Sequence, residues 1–134
     1  MTPPVLVLDS HGFAALARPT DRGARLLAAA ELNGQRIAVP AVVLAETISG
    51  RAEDAVYWRA LKGMTVCDTT ARIAARAGEL RTAAARARRK KRDLTVDAIV
   101  ASTAYDLAPA IILTGDPGDM CLLTQARPAK IIPV

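Results

Sequence analysis

Short apolar runs alternate with longer amphipathic stretches along the whole chain. Four of these runs predict buried strands, at residues 5–8, 36–39, 64–67 and 111–114. A fifth run at 131–134 predicts a weaker strand. Pro133 lies within that run and favours an edge position, because proline donates no backbone hydrogen bond to a neighbouring strand.

The stretches between these runs have the composition and the end signals of helices. They predict helices at residues 10–17, 21–32, 41–49, 52–61 and 70–91, and a further helix that begins at Asp93 or Thr95 and runs to 107. Residues 116–125 predict a turn with a short helix. Alanine, the best helix former, occupies 28 of the 134 positions. Thr20 has the position of an N-terminal cap, as does Thr69 or Thr70, while Gly34 and Gly50 follow the ends of predicted helices.

This alternation predicts a single α/β domain over residues 1–134. We expect a three-layer sandwich whose central sheet has four or five mostly parallel strands. A chain of 134 residues and 14.1 kDa has the usual size of one domain, and it needs no disulfide or structural metal to fold. Hydrophobic residues make up 51% of the sequence, which excludes a mostly disordered chain.

The cysteines and the apolar runs indicate the cellular compartment of the protein. Cys67 and Cys121 lie far apart and outside any CxxC spacing, so neither a zinc site nor a disulfide framework is indicated. The run at 5–8 is too short for a signal-peptide core, and no run reaches the ~18 apolar residues of a membrane span. We therefore expect a soluble, cytoplasmic protein with no membrane partner.

Four carboxylates occur where an α/β fold places its active sites. Asp9 follows the first strand, and Asp116 follows the fourth in the segment Leu113-Thr114-Gly115-Asp116. Sites in open parallel sheets lie beyond the carboxyl ends of the strands, where the strand order reverses, so Asp9 and Asp116 converge if their strands are neighbours. Asp97 lies in the first turn of a predicted helix. Glu46 lies in a strongly apolar helix, where we expect a partly buried carboxylate.

Three of these acids also have a purely structural interpretation. Asp9 can cap the helix that follows it, Asp116 can stabilise a turn, and Asp97 can complement a helix dipole. If all four acids share one site, a cation must offset their mutual repulsion. Oxygen ligands favour Mg²⁺ or Mn²⁺, and such an ion would activate water for phosphodiester hydrolysis.

Other common sites are absent from the sequence. His11 is the only histidine, and we interpret it as a loop residue beside the site rather than as a catalytic residue. Neither a P-loop nor a GxGxxG motif occurs. A phosphoacceptor domain built on Asp9 is the weakest alternative, since haloacid-dehalogenase enzymes have a second aspartate where this chain has His11.

At this point the sequence resembles a PIN-domain ribonuclease, specifically a VapC-type toxin of a VapBC toxin–antitoxin pair. The resemblance covers nearly the whole chain. It rests on the order and spacing of four segments: Leu6-Val7-Leu8-Asp9-Ser10, Pro40 through Ala45-Glu46, Val96-Asp97-Ala98, and Leu113-Thr114-Gly115-Asp116.

The resemblance implies that the four acids line one pocket for Mg²⁺ or Mn²⁺. Asp9 and Asp97 would be the most direct ligands. Glu46 and Asp116 would bind through water, hold a second ion or orient the nucleophile. The resemblance also implies supporting hydroxyl groups, at Ser10 and Thr114.

The resemblance further implies an RNA substrate, a cognate VapB-type antitoxin and a homodimer. The antitoxin would thread a segment over the active-site groove and place a basic side chain among the acids. This chain departs from the family at Met120, where relatives often carry an aromatic residue, and at His11, where they carry a small or apolar one. Asp119 is a possible fifth acid, although we expect it to be a solvated turn residue.

A basic segment precedes the predicted helix that carries Asp97. Nine of the 18 Lys and Arg residues lie between Arg72 and Arg92, and residues 86–92 read Arg-Ala-Arg-Arg-Lys-Lys-Arg. The segment ends five residues before Asp97. The segment predicts a surface that binds RNA phosphates. The alternative is a solvated helix end, but favourable interaction with the helix dipole explains only two or three of the charges.

The leading hypothesis is therefore a metal-dependent endoribonuclease that acts as the toxin of a type II toxin–antitoxin pair. The alternative is a catalytically degenerate PIN-fold module that binds RNA without cleaving it. The basic segment is compatible with both. The presence of acids at all four positions favours the enzyme.

Overall fold

A parallel sheet lies at the centre of the protein. The computed structural model describes residues 2–18, 20–87 and 92–134. Within these ranges the sheet has five strands in the order β3-β2-β1-β4-β5, and every neighbouring pair is parallel. The strands are β1 (Val5–Leu8), β2 (Ile37–Pro40), β3 (Thr65–Cys67), β4 (Ala110–Thr114) and β5 (Lys130–Pro133).

Helices cover both faces of the sheet, as the alternating pattern predicts. They are α1 (Ser10–Ala17), α2 (Asp21–Leu32), α3 (Ala41–Thr47), α4 (Ala55–Leu61), α5 (Ala71–Arg86), α6 (Thr95–Asp106) and α7 (Pro117–Leu123), with a 3₁₀ turn at Ala52–Asp54. No helix among the described residues is long and apolar enough to cross a membrane.

The strand order reverses between β1 and β4. The chain passes from β1 to β2 and β3 on one side, then returns to β4 and β5 on the other. Leu8, the last residue of β1, pairs with Leu113 near the end of β4. The segments that follow these two strands therefore leave the sheet side by side, and the predicted convergence after the first and fourth strands is confirmed.

The predicted edge strand and helix caps are also confirmed. β5 is an outer strand and contains Pro133. The side chain of Thr20 accepts a hydrogen bond from the backbone of Gly23 at the start of α2, and that of Thr70 accepts one at the start of α5. Gly50 has a φ of 81°, a left-handed conformation that favours glycine after the end of α3.

Several helix boundaries differ from the sequence-based ones. The stretch at 52–61 begins with a 3₁₀ turn, and only Ala55–Leu61 is α-helical. α3 ends at Thr47, two residues before the predicted end. α5 is described as far as Arg86. The rest of its predicted length, at 88–91, lies outside the described residues, as does the middle of the basic run.

The core lies between the sheet and the helices. Val7, Leu8 and Leu113 of the central strands are fully buried. α6 packs closely on the sheet and on α5, and its small residues Ala98 and Ala101 are fully buried. Small side chains let the backbone of α6 approach its neighbours, and this approach positions the first turn of the helix beside the ends of β1 and β4.

Gly12 lets the first turn of α1 lie directly against β4. A Cβ atom at this position would lie 2.4 Å from the backbone oxygen of Leu113. The Leu113 oxygen also accepts a hydrogen bond from the backbone N–H of Asp9, so it cannot shift without breaking that contact. Glycine is therefore required here by space, not by its φ angle.

We expect Gly12→Ala to lower the free energy of unfolding by about 1–3 kcal/mol or more, because the added methyl overlaps a backbone carbonyl. Urea denaturation monitored by circular dichroism measures the change. Gly78→Ala is the matched control: a Cβ at this position on α5 meets nothing within 4 Å, so it should stabilise by about 0.8–1 kcal/mol. Equal stabilisation by both substitutions would contradict the packing argument.

Candidate active site

Asp9 joins three elements at the strand-order reversal. The residue is only 3% exposed. Its Oδ1 accepts a hydrogen bond from the backbone N–H of Gly12 at 2.8 Å. Its Oδ2 accepts hydrogen bonds from the hydroxyl group of Thr114 at 2.5 Å and from the N–H of Gly115 at 3.1 Å. The helix-cap interpretation of Asp9 is thus correct, and the same carboxylate also ties β1 to the end of β4.

Thr114 connects Asp9 to Asp116. Its hydroxyl group donates to Asp9 and accepts a hydrogen bond from the backbone N–H of Asp116 at 2.9 Å. The residue is fully buried. The hydroxyl group of Thr114 therefore links these two acids.

A second group of carboxylates lies beside Asp9. One carboxylate oxygen from each of Asp97, Asp116 and Asp119 can be chosen so that all three lie within 4.8 Å of one another. We call these three residues the acid cluster. Asp97 comes from the first turn of α6, while Asp116 and Asp119 come from the start of α7, where the Asp116 side chain caps the helix by accepting from the backbone N–H of Asp119.

The guanidinium of Arg92 spans the acid cluster. Its Nη1 donates to the carboxylates of Asp116 and Asp119, the latter at 3.1 Å, and its Nη2 lies 3.9 Å from the carboxylate of Asp97. Arg92 is the last residue of the basic run. The expectation that the run approaches the acids is thus met at this residue.

Glu46 lines a cleft that Asp97 of the acid cluster also lines. Its carboxylate accepts a hydrogen bond from the Ser10 hydroxyl group at 2.5 Å. The cleft has a volume of about 550 Å³, and its lining includes Asp9, Glu46, Arg92 and Asp97. The expectation that Glu46 is partly buried is wrong: its side chain is exposed, because the helix turns this face toward the cleft and not toward the core.

The structure brings the four predicted acids to one end of the sheet. Asp9, Glu46 and Asp97 line the cleft, and Asp97 and Asp116 belong to the acid cluster. The interpretation of Asp119 as a solvated turn residue is wrong, since it is 7% exposed and contacts Arg92. Its position three residues after Asp116, in the first turn of a helix, is the signal that could have identified it.

The environment moves the pKa values of two acids in opposite directions. Burial, together with the charge of Asp9, raises the pKa of Asp97 to about 6 despite the attraction of Arg92. Burial also acts to raise the pKa of Asp116. Hydrogen bonds with Asp119 and Arg92 outweigh this effect and hold the pKa of Asp116 below its usual value.

His11 lies at the rim of the cleft against Gly115. A Cβ atom at position 115 would come within 2.5 Å of the imidazole ring, so glycine leaves the space that the ring occupies. The ring itself is exposed. This placement agrees with its interpretation as a residue beside the site.

The donor set fits a hard divalent cation. The carboxylate oxygens of the acid cluster lie close enough together to contact one ion, and oxygen ligands are the ones that Mg²⁺ and Mn²⁺ prefer. The guanidinium among these carboxylates shows that a positive charge fits at this place. Asp9 and Glu46 line the adjoining cleft together with Asp97, so they are further acidic groups on the same side of the protein.

We expect Thr114→Val to destabilise the protein by about 1–3 kcal/mol, because the nearly isosteric side chain leaves Asp9 with one donor fewer and the Asp116 N–H without its acceptor. Urea denaturation measures this cost. Thr82→Val is the control, since its hydroxyl group bonds to Gly78 on an exposed helix face, and it should change stability by less than about 0.5 kcal/mol. Equal effects would show that the buried hydroxyl group holds nothing in place.

The raised pKa of Asp97 predicts a pH dependence of stability. Asp97 has a pKa of about 6 when folded, against an ordinary value of 3.8. Between these values the folded protein keeps a proton that the unfolded chain has lost, so this group makes the free energy of unfolding decrease as the pH rises from about 4 to about 6. Asp97→Asn should remove that decrease and stabilise the metal-free protein above pH 6 by about 1–3 kcal/mol. Urea denaturation in a chelator at several pH values tests this, and a variant with the wild-type pH profile would contradict it.

Comparison with known proteins supports the same fold. A family model described as the PIN domain matches residues 6–122. No curated protein matches the chain.

Several solved structures share the architecture. VapBC2 from Rickettsia felis, bound to a DNA fragment from its promoter, aligns with a TM-score of 0.70 and 18% identity over 96% of this chain and 98% of that chain. FitAcB from Neisseria gonorrhoeae aligns with a TM-score of 0.70 and 17% identity, with 96% of each chain covered. A toxin–antitoxin complex from Klebsiella pneumoniae aligns with a TM-score of 0.68 and 20% identity, over 96% of this chain and 98% of that chain. Since the PIN-domain model spans most of the sequence, the chain belongs to the PIN-domain family.

Proposed function

We propose that this protein is a metal-dependent endoribonuclease and the toxin of a type II toxin–antitoxin pair. The observation that carries the proposal is the convergence of Asp97, Asp116 and Asp119 beside the buried Asp9, at the strand-order reversal of a PIN-domain fold. Acidic oxygens at such a position suit phosphodiester hydrolysis assisted by a divalent cation.

In this proposal the residues that hold Mg²⁺ or Mn²⁺ are the predicted acids Asp9, Glu46, Asp97 and Asp116, joined by Asp119. The ion, when bound, would lower the pKa of a water molecule and offset charge on the scissile phosphate. The hydroxyl group of Ser10 donates a hydrogen bond to the Glu46 carboxylate, and both residues line the cleft. This arrangement lets Glu46 orient or deprotonate the attacking water.

The basic segment supports RNA as the substrate. Arg81 and Arg86 lie exposed on the last turns of α5, and Arg92 reaches the acids at the cleft. Phosphate contacts of this kind position a nucleic acid without reading its sequence. An RNA strand that contacts these cations would reach the cleft at Arg92, which lines it together with Asp9 and Glu46.

The toxin role and the partner are proposed from the related structures. The Rickettsia felis and Neisseria gonorrhoeae neighbours are VapBC and Fit assemblies, and the Klebsiella pneumoniae neighbour is a toxin–antitoxin complex. We propose a VapB-type antitoxin as the partner of this chain, and homodimerisation of the single domain over residues 1–134.

We expect Asp97→Asn to lower cleavage of total RNA in the presence of Mn²⁺ by about 100-fold or more, because it removes a charge from the acid cluster while leaving the contacts of buried Asp9 in place. Sequencing of the cleaved ends measures the loss. Glu46→Gln should act in the same direction, since its carboxylate faces the cleft.

Glu31→Gln is the matched control for these variants. Glu31 is exposed on α2 and lines a different groove, so cleavage should be unchanged. Salt-sensitive RNA binding without any metal-dependent product would instead identify the protein as a degenerate RNA-binding module. Full cleavage by Asp97→Asn would contradict the proposed site.

The toxin role predicts a stable complex with the product of the adjacent upstream gene. Expression of the chain alone should arrest growth, while co-expression of the neighbour should restore growth and yield a complex by size-exclusion chromatography. Expression of the Asp97→Asn variant alone should not arrest growth. Normal growth with active wild-type enzyme and no partner would contradict the toxin role.

A further inference from the structure

Arg92 occupies the place of a cation within the acid cluster. Its Nη1 contacts both Asp116 and Asp119, and its Nη2 faces Asp97. These are the three residues whose carboxylate oxygens lie within 4.8 Å of one another. One guanidinium therefore meets every member of the cluster, whereas an ordinary surface ion pair joins only two side chains.

These contacts offset the repulsion among the three carboxylates. Asp119 is buried and the side chain of Asp97 is only 15% exposed, so the repulsion among the three carboxylates is poorly screened by water. A guanidinium offers several N–H donors in a planar fork, which suits several carboxylates better than an ammonium group does. Arg92 offsets part of the negative charge without any bound ion.

We propose that Arg92 is a built-in counter-ion of the acid cluster, and that a divalent metal must displace its guanidinium to bind there. The inference rests on the proposed function in one respect: it takes the acid cluster as the metal site. It adds that the chain itself competes with the metal.

Arg92 and a bound metal would compete for the acid cluster. The guanidinium uses carboxylate oxygens of the same three residues that a metal would need, and two cations within a few ångströms of each other repel strongly. Metal binding therefore includes the free energy of breaking the Arg92 contacts. The apparent affinity for metal equals the intrinsic affinity multiplied by the fraction of molecules in which Arg92 has left the cluster.

Arg92 is able to leave without disturbing the fold. Its side chain is 52% exposed, and it belongs to the segment that precedes α6 and not to a helix or strand. It also lines the cleft that contains Ser10 and Glu46. A displaced guanidinium would extend into this cleft, where its charge faces the proposed path of the RNA phosphates. The same side chain thus protects the cluster before metal binding and adds a phosphate contact afterwards.

The test measures metal affinity without any nuclease assay. Isothermal titration calorimetry of the metal-free 134-residue chain with Mn²⁺ compares the wild type with Arg92→Gln and Arg92→Lys. We expect Arg92→Gln to bind Mn²⁺ about tenfold more tightly, because the competing charge is gone. Arg92→Lys should fall between the two, because it keeps the charge but loses the fork.

A thermal melt supplies an independent readout. Without metal, Arg92→Gln should melt below the wild type because the acid cluster has lost its counter-ion. With saturating Mn²⁺, the two melting temperatures should converge. Arg72→Gln is the matched control: it also removes an arginine ion pair, with Asp106, and its Mn²⁺ affinity should equal that of the wild type.

The outcomes separate this inference from the proposed function. Equal or weaker Mn²⁺ binding by Arg92→Gln, with normal binding by the wild type, would overturn the counter-ion role and leave the metal site intact. Absence of Mn²⁺ binding in every variant would overturn the metal site and the competition together. Tighter binding by both Arg92→Gln and Arg72→Gln would also overturn it, since the effect would then reflect only net charge.

Discussion

The buried carboxylate of Asp9 is the contact on which the site depends. It accepts hydrogen bonds from the start of α1 and from the end of β4, so it joins the two segments that leave the sheet at the strand-order reversal. A buried charge is tolerated only when such donors surround it. Those donors also fix the direction of the backbone that carries Thr114 and Asp116. The structural and the proposed chemical roles of Asp9 are therefore inseparable.

Charge balance is the second constraint. The fold concentrates acids at one end of the sheet, and burial of Asp97 and Asp119 prevents water from screening them fully. The pKa of Asp97 is raised in consequence, while that of Asp116 is lowered by its hydrogen bonds with Asp119 and Arg92. Such a site attracts cations. In this structure Arg92, from the chain's own basic segment, supplies the positive charge.

The local sequence predicts the elements well because most local signals agree. Apolar runs give the five strands, Pro133 gives the edge, and threonine caps give the starts of α2 and α5. The disagreements lie at helix ends. The 3₁₀ turn at Ala52–Asp54 is one example: Asp54 accepts hydrogen bonds from the backbone N–H groups of Ser49 and Gly50, and this local loop replaces the first turn of an α-helix.

The sequence by itself determined the strands, the parallel arrangement and the four acids that follow the strands or begin the helices, since each depends on periodicity or on position within an element. Tertiary structure alone decided which side chains meet. Burial of Asp119, exposure of Glu46 and the reach of Arg92 into the acid cluster all depend on how α3, α6 and α7 pack around the end of the sheet. Such contacts join residues far apart in the chain, and periodicity carries no information about them because it reports only which face of an element is apolar.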